Sequence, residues 1–68
     1  MGNEAQYEAL LDSKAVGKIL GFSPLTVRRM AERKEIPAIP FGTDKRVVWR
    51  FRASSIYRHI DERSVPKV

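Results

Sequence analysis

The sequence predicts a small domain, mainly α-helical with one β-hairpin, in the order helix, turn, helix, hairpin, helix. Three observations support this fold class. Two short segments with helical spacing of apolar residues, joined by a glycine-containing turn, lie at about residues 12–36. Residues 38–52 then alternate apolar and polar side chains around a turn-rich centre, as expected of a hairpin. The whole chain has 68 residues, enough for one compact domain with a small core.

The first helix is predicted to begin after Asp12, whose carboxylate is a good N-cap. Apolar residues at positions 15, 16, 19 and 20 form one stripe, as expected of a helix that packs on a core. Gly17 interrupts this helix at a cost of about 1 kcal/mol relative to alanine, so we expect another backbone to approach it closely. Gly21 is suited to the left-handed conformation that ends many helices.

The second helix is predicted to begin after Ser23, an N-cap residue followed by Pro24 at the first helical position. It should end at Ile36-Pro37, because a residue that precedes proline avoids the α-helical region. Its apolar side consists of Val27, Met30 and Ala31. The opposite side consists of Leu25, Arg29, Glu32 and Arg33, with Thr26 and Arg28 on the flanks. We therefore expect one side to pack on the core and the other to carry guanidinium groups outward.

The hairpin is predicted to turn at residues 42–45 and to form a basic tip, or wing, with Lys45 and Arg46. Pro40 cannot donate a ladder hydrogen bond, so its strand is an edge strand or begins beyond it. We expect the aromatic side chains of Phe22, Trp49 and Phe51 to lie in the core. A last helix opens at Ala53 or Ser54, with Ile56, Tyr57 and Ile60 on its apolar side, and frays from Asp61.

The chain is predicted to have three parts. Residues 1–9 form a flexible N-terminal tail, residues 10–62 form the folded domain, and residues 63–68 form a flexible C-terminal tail. The domain ends without the long dimerising helix that a coiled coil needs, so we expect a monomer in free solution.

The positive charge is concentrated in the second half of the chain. The net charge is +5 overall, yet residues 28–58 hold nine Arg and Lys side chains against three carboxylates. A basic surface on one side of a small domain favours a polyanion such as nucleic acid. The alternative is a solvated basic face that only keeps the protein soluble.

Several function classes find no support in the sequence. There are no cysteines, and His59 is the only histidine, so no metal site, cofactor site or catalytic arrangement is expected. No stretch is apolar enough to span a membrane, and no signal peptide precedes the domain. These observations predict a cytoplasmic protein that is not an enzyme.

Four pieces of the sequence carry a resemblance to a known family. They are the corner Gly21-Phe22-Ser23, the run from Thr26 to Arg29, the exit from Ile36 to Ala38, and the run from Trp49 to Phe51 that leads into the last helix. Together they make residues 10–60 similar to the excisionase-like helix-turn-helix family, whose fold resembles the DNA-binding head of the MerR regulators. The resemblance implies a winged helix-turn-helix, with the second helix in the major groove and the wing on an adjacent minor groove or backbone.

The resemblance also implies a set of candidate DNA-binding residues and several biological roles. The residues are Ser23, Leu25, Thr26, Arg28, Arg29, Arg33, Lys45 and Arg46. We expect Arg29 to contact a base or a phosphate, the alternative being a solvated charge paired with Glu32. Leu25, where relatives place a polar residue, would contact a thymine methyl. The family includes excisionases, small transcription regulators and terminase DNA-recognition domains. Expected partners are double-stranded DNA, with an integrase or neighbouring copies as further candidates.

One alternative function stays open at this stage. A basic face that docks an acidic protein would make the domain an adaptor, and the apolar Leu25 on the outward side of the second helix would suit that role.

Overall fold

The computed structural model describes residues 8–64, which form three helices and a small antiparallel sheet. In chain order these are β1 at Leu10–Leu11, α1 at Ser13–Leu20, α2 at Pro24–Glu32, β2 at Ile39–Thr43, β3 at Arg46–Arg52 and α3 at Ala53–Arg63. The predicted winged helix-turn-helix fold class is confirmed. Most of the two predicted tails, residues 1–7 of the first and 65–68 of the second, lies outside the described residues.

Helix α1 begins and ends as its sequence predicts. The Asp12 carboxylate accepts a hydrogen bond from the backbone N–H of Ala15 at 2.8 Å. At the other end Gly21 adopts the left-handed conformation, with φ of 81°. The backbone N–H groups of Gly21 and Phe22 both donate to the carbonyl oxygen of Gly17, at 2.7 and 2.9 Å. These two bonds close the corner between α1 and α2.

The close approach predicted at Gly17 is present. A Cβ atom at this position would overlap the carbonyl oxygen of Phe22, which is part of the backbone and not the movable end of a side chain. The turn therefore passes over α1 at a distance that only glycine allows.

Helix α2 is anchored by a cap and a buried stripe. The Ser23 hydroxyl accepts the backbone N–H of Thr26 at 3.2 Å, and Pro24 occupies the first turn. Val27 and Ala31 are buried, and Met30 packs against them from the edge of the core. This arrangement fixes the rotation of the helix about its axis.

The end of α2 differs from the prediction. The helix ends at Glu32, well before Ile36-Pro37, because Lys34 adopts a left-handed conformation with φ of 61°. The N–H of Glu35 then donates to the carbonyl of Met30, and that of Lys34 to the carbonyl of Ala31. This pattern is a Schellman motif. The left-handed position holds lysine and not the usual glycine, so Pro37 was the only residue in the sequence that indicated the end of the helix.

The sheet has three strands in the order β1-β3-β2, all antiparallel. The strand that contains Pro40 lies at an edge, in agreement with one of the two alternatives. The predicted four-residue turn is shorter than expected, because Thr43 pairs with Arg46 and leaves only residues 44 and 45 unpaired. Strand β1 was not predicted, since two leucines are too short a run to show alternation.

The core lies between the helices and the inner face of the sheet. Its buried side chains are Val16, Val27, Ala31, Ile36, Phe51 and Ile56. Trp49 packs on this cluster and is partly buried, so the core predictions for Trp49 and Phe51 are confirmed. Those for Phe22 and Tyr57 are wrong, because the two rings are 47% and 53% exposed. Apolar character alone does not decide whether a side chain is buried.

Helix α3 is longer and better capped than predicted. It runs to Arg63 without fraying at Asp61. Its N-cap residue, Arg52, makes no side-chain cap hydrogen bond. The carboxylate of Glu8 acts as the cap, accepting from the backbone N–H of Ser54 at 3.3 Å and from its hydroxyl at 2.5 Å. Glu8 therefore has a structural function although it falls in the predicted tail.

Candidate nucleic-acid interface

The outward side of α2 presents the residues that the sequence analysis assigned to it. The predicted outward residues Leu25, Arg29, Glu32 and Arg33 are all exposed, as is Arg28 on the flank, and Leu25 is 48% exposed. They lie on this side because Val27 and Ala31 are buried on the other. The orientation of α2 thus leaves three guanidinium groups, one carboxylate and one apolar side chain for a partner.

The start of α2 carries two hydroxyl groups with different functions. The Ser23 hydroxyl accepts the N–H of Thr26 and donates to the Thr26 hydroxyl oxygen at 3.0 Å. Because Ser23 has used both its hydrogen and an acceptor site in these bonds, its first function is to cap the helix. Thr26 keeps its own hydroxyl hydrogen for an acceptor outside the chain, and it is exposed.

The hairpin tip presents Lys45 within the two-residue turn and Arg46 at the first position of β3, both exposed. The chain reaches this tip through Gly42, which has φ of 107°. A Cβ atom on Gly42 would overlap the carbonyl oxygen of Arg46 on the facing strand. Glycine therefore allows the strands to close tightly behind the basic tip.

A groove of about 550 Å³ runs between the starts of α1 and α2 and the first half of β3. Four cationic side chains line it, from three different elements: Lys14, Arg28, Arg46 and Arg50. Among the described residues that line it, Asp12 is the only acid, and its carboxylate already caps α1. The groove is consequently a concentrated positive site between the helix-turn-helix and the wing.

The backbone adds to the positive character of this groove. Asp12, Ser13 and Lys14 belong to the start of α1, and Pro24 to the start of α2. Helix N-termini carry a partial positive charge and unpaired N–H groups, both of which favour an anion such as phosphate. The Asp12 carboxylate offsets this effect at the start of α1, so the four side-chain charges and the start of α2 supply most of the positive character.

The structure brings some of the sequence-predicted residues together and separates others. Arg28 and Arg46 share the groove. Arg29 and Arg33 are not among its lining residues and lie farther along the exposed side of α2, with Arg33 as the C-cap. The predicted set therefore divides into groove residues, residues of the exposed side of α2, and Lys45, which lies in the hairpin turn outside the groove.

Sequence reasoning missed two groove residues. Lys14 is in the first turn of α1, outside the apolar stripe, where it resembled any solvated lysine. Arg50 alternates with the core residues of β3, and one guanidinium nitrogen donates to the carbonyl of Trp49 at 2.9 Å. Only the packing of α1 against the sheet brings the two near Arg28. The position of Lys14 in the first turn of α1, close to the N-cap Asp12, was the sequence signal that could have indicated this site.

The described part of the chain offers no support for a metal site or a membrane-spanning helix. Within residues 8–64 no group of three or more His, Asp or Glu side chains is arranged to hold a metal ion. None of the three helices is long and apolar enough to cross a membrane.

The fold and the basic groove together define a DNA-binding helix-turn-helix domain. The family model described as "helix-turn-helix domain" matches residues 10–64, which is most of the chain. The chain belongs to this family, a family of excisionase-like DNA-binding domains, and DNA binding follows from that membership. No curated protein matches the chain, and no solved structure does.

Proposed function

We propose that the protein binds double-stranded DNA sequence-specifically, with α2 in the major groove and the hairpin tip on the adjacent backbone or minor groove. The observation that carries the proposal is the groove with Lys14, Arg28, Arg46 and Arg50, which lies beside the exposed side of α2. In this arrangement the groove holds the phosphate backbone while α2 reads base edges.

The groove positions the domain on the duplex. Phosphate contacts fix how a domain sits on the duplex but carry no sequence information. Arg28 and Arg46 face one groove from α2 and from the wing, so a single backbone strand that follows the groove meets both. Lys45 extends this contact at the tip, and Arg33 extends it at the far end of α2.

The exposed side of α2 reads the base sequence. Arg29 has the length and the donors to bind guanine through two hydrogen bonds. Leu25 is exposed near the start of the helix, where an apolar side chain contacts a thymine methyl group. Thr26 donates its hydroxyl to a phosphate or a base edge, and Ser23 stabilises the helix start that presents it.

The biological role that fits this architecture is that of an excisionase or a small transcriptional regulator, without catalytic activity of its own. A single module of this size buries about 600–1,000 Å² on DNA, which is modest for a specific complex. Further affinity then comes from neighbouring copies or from a second protein, such as a recombinase, on the same DNA. An excisionase bends its site, and comparing gel mobilities of duplexes with the site at the centre or at the end would reveal the bend.

The adaptor alternative has one observation in its favour, the exposure of Leu25 on α2. The four cations of the groove would suit an acidic protein as well as DNA, but membership of a family of DNA-binding domains favours DNA. The terminase-type role uses the same DNA contacts and differs only in its partners.

A salt titration tests the proposal against the adaptor alternative. Binding of a labelled duplex is measured by anisotropy between about 50 and 200 mM salt, where each neutralised phosphate contributes a log–log slope of about −0.9. The four groove cations alone therefore predict a slope of about −3.6, and contacts from Lys45 and Arg33 would make it steeper. Absence of binding at the lowest salt concentration would overturn the proposal and leave the adaptor alternative.

A further inference from the structure

Glu32 is the only carboxylate on α2, a helix that otherwise turns cationic side chains outward. It is the last residue of the helix, where the helix dipole disfavours a negative charge. Its side chain is exposed, so packing does not account for it. Among the side-chain hydrogen bonds of residues 8–64, none involves Glu32, so it does not cap a helix end either. Neither stability nor packing therefore explains a carboxylate at this position.

Glu32 completes a stripe along the exposed side of α2, which we call the reading stripe: Leu25, Arg29 and Glu32. These residues are at positions i, i+4 and i+7, which an α-helix places within an arc of about 60°. Arg28 and Arg33 flank the stripe on opposite sides, so it lies at the middle of the exposed side. The helical rise separates the two ends of the stripe by about 10.5 Å. That length corresponds to about three base-pair steps of roughly 3.4 Å.

A carboxylate at the centre of a DNA-binding surface needs a hydrogen-bond donor, because phosphates repel it. The major groove offers two such donors on the bases, the N4 amino group of cytosine and the N6 amino group of adenine. The adenine amino group lies beside the acceptor N7, which repels a carboxylate, whereas the cytosine edge has no acceptor. Guanine and thymine present only acceptors there. Cytosine is therefore the base that fits Glu32.

We propose that Glu32 determines sequence specificity by accepting a hydrogen bond from the N4 amino group of a cytosine, in the base pair next to the guanine bound by Arg29. The two residues are three positions apart, a rise of about 4.5 Å along the helix, which is close to one base-pair step. This inference rests on the proposed DNA-binding function, since it assigns a base to a residue of the reading helix.

The same carboxylate also disfavours unrelated sequences. Where no cytosine is in place, Glu32 meets only acceptors and phosphates, so the complex loses affinity. Specificity then comes from attraction at the right base and repulsion at the others.

A competing explanation is that Glu32 only holds an arginine in place. It follows Arg28 by four residues and Arg29 by three, which are the spacings of helical ion pairs. The two explanations differ in the base that responds to a change at Glu32. A partner of Arg29 would alter the preference for the guanine, whereas a direct contact alters the preference at the neighbouring base pair.

The test is a binding-site selection from a duplex pool with a randomised central segment, followed by titrations of duplexes that differ at one base pair. The wild-type chain should select cytosine next to the guanine and bind the cytosine duplex about tenfold more tightly than the adenine duplex. Glu32→Gln should reverse this preference, because an amide can accept from N6 of adenine and donate to N7. Glu32→Ala should have no preference at this position. All three proteins should select the guanine.

Glu35→Gln is the matched control, since Glu35 is also exposed and lies three residues further along, outside α2 and the reading stripe. It loses the same charge and should keep the cytosine preference of the wild type. Affinities for an unrelated duplex show how much of any change is due to net charge alone. Melting temperatures of all variants confirm that each is folded.

The base preferences of these proteins decide between the explanations. Loss of the cytosine preference in both Glu32 variants, with the guanine retained, supports the proposed contact, and a change to adenine in Glu32→Gln identifies the hydrogen bond. A cytosine preference that survives in both variants, or a wild-type chain that selects the guanine but no neighbouring cytosine, overturns this inference and leaves the proposed function intact. Loss of the guanine preference in Glu32→Ala overturns it too, because Glu32 would then position Arg29. A wild-type chain that selects no sequence from the pool overturns the proposed function itself.

Discussion

Gly17 sets the geometry of the corner between α1 and α2. Its missing side chain lets the carbonyl of Phe22 pass over α1, and its own carbonyl accepts the two N–H groups that close the corner. The cost of glycine in a helix was visible in the sequence, and so was its explanation as a close backbone approach. The neighbour that approaches could be identified only from the structure.

Gly17→Ala should destabilise the domain by about 1–3 kcal/mol, because the new methyl group would force the backbone of the corner to move. That loss is opposed by the better helix propensity of alanine, about 1 kcal/mol. Chemical denaturation followed by circular dichroism measures the difference. The control is Lys18→Ala in the same helix, an exposed position where a change within about 0.5 kcal/mol is expected. A Gly17→Ala variant as stable as the control would contradict the close approach.

Lys14 and Lys18 form a natural pair for testing the groove. Both are exposed lysines one turn apart on α1, yet only Lys14 lines the groove with Arg28 and Arg46. Lys14→Ala should weaken binding to every duplex and lower the salt slope by about one, whereas Lys18→Ala should have a much smaller effect on that slope. Anisotropy titrations at several salt concentrations measure both. Equal effects of the two variants would mean that net charge, rather than the groove, governs binding.

At the scale of elements, the sequence predicted the helix starts and the end of α1, but not the ends of α2 and α3. Asp12 and Ser23 are caps whose side chains act on the next turn, so each start is encoded locally. The end of α2 depends on Lys34 in a left-handed conformation, and a lysine in a sequence does not indicate that conformation. Strand β1 exists because β3 offers it a free edge, and that contact joins residues about forty positions apart. Such long-range pairing leaves no pattern in two residues.

The cap of α3 gives a prediction for the N-terminal segment. Glu8→Ala should lower the free energy of unfolding by about 0.5–1 kcal/mol, since the carboxylate that receives the N–H and hydroxyl of Ser54 is lost. Urea denaturation measures this effect. In Ser54→Ala the same change at Glu8 should cost less, because most of the interaction is already absent. Glu62→Ala, an exposed acid near the other end of α3, is the control and should not destabilise the domain.

The candidate site was predictable in part for the same reasons. The outward side of α2 follows from the spacing of its buried residues, so Arg29 and Leu25 could be assigned from the sequence. The groove could not, because Lys14, Arg28 and Arg50 come from three elements that only the folded domain brings together. The exposed rings of Phe22 and Tyr57 also could not be predicted, since apolar character alone does not decide whether a side chain is buried.

At the scale of the whole molecule, the small core leaves little reserve of stability. Phe51 is fully buried between the helices and the sheet, and its truncation to alanine should cost about 3–5 kcal/mol. A domain of this size rarely has more stability than that, so Phe51→Ala should be largely unfolded at room temperature. Circular dichroism measures the loss. Val47→Ala on the same strand, where the side chain is exposed, should melt close to the wild type. A folded Phe51→Ala variant would contradict the position of the core.

The central claim is that α2 reads sequence while the wing holds the backbone, and one comparison of two variants tests it most directly. The affinities of Arg29→Ala and Lys45→Ala are measured on a selected duplex and on an unrelated one of the same length. The account predicts that Arg29→Ala loses about 1–3 kcal/mol on the selected duplex and little on the unrelated one, whereas Lys45→Ala weakens both equally. If Arg29→Ala retains both affinity and sequence preference, the assignment of α2 as the reading helix is wrong.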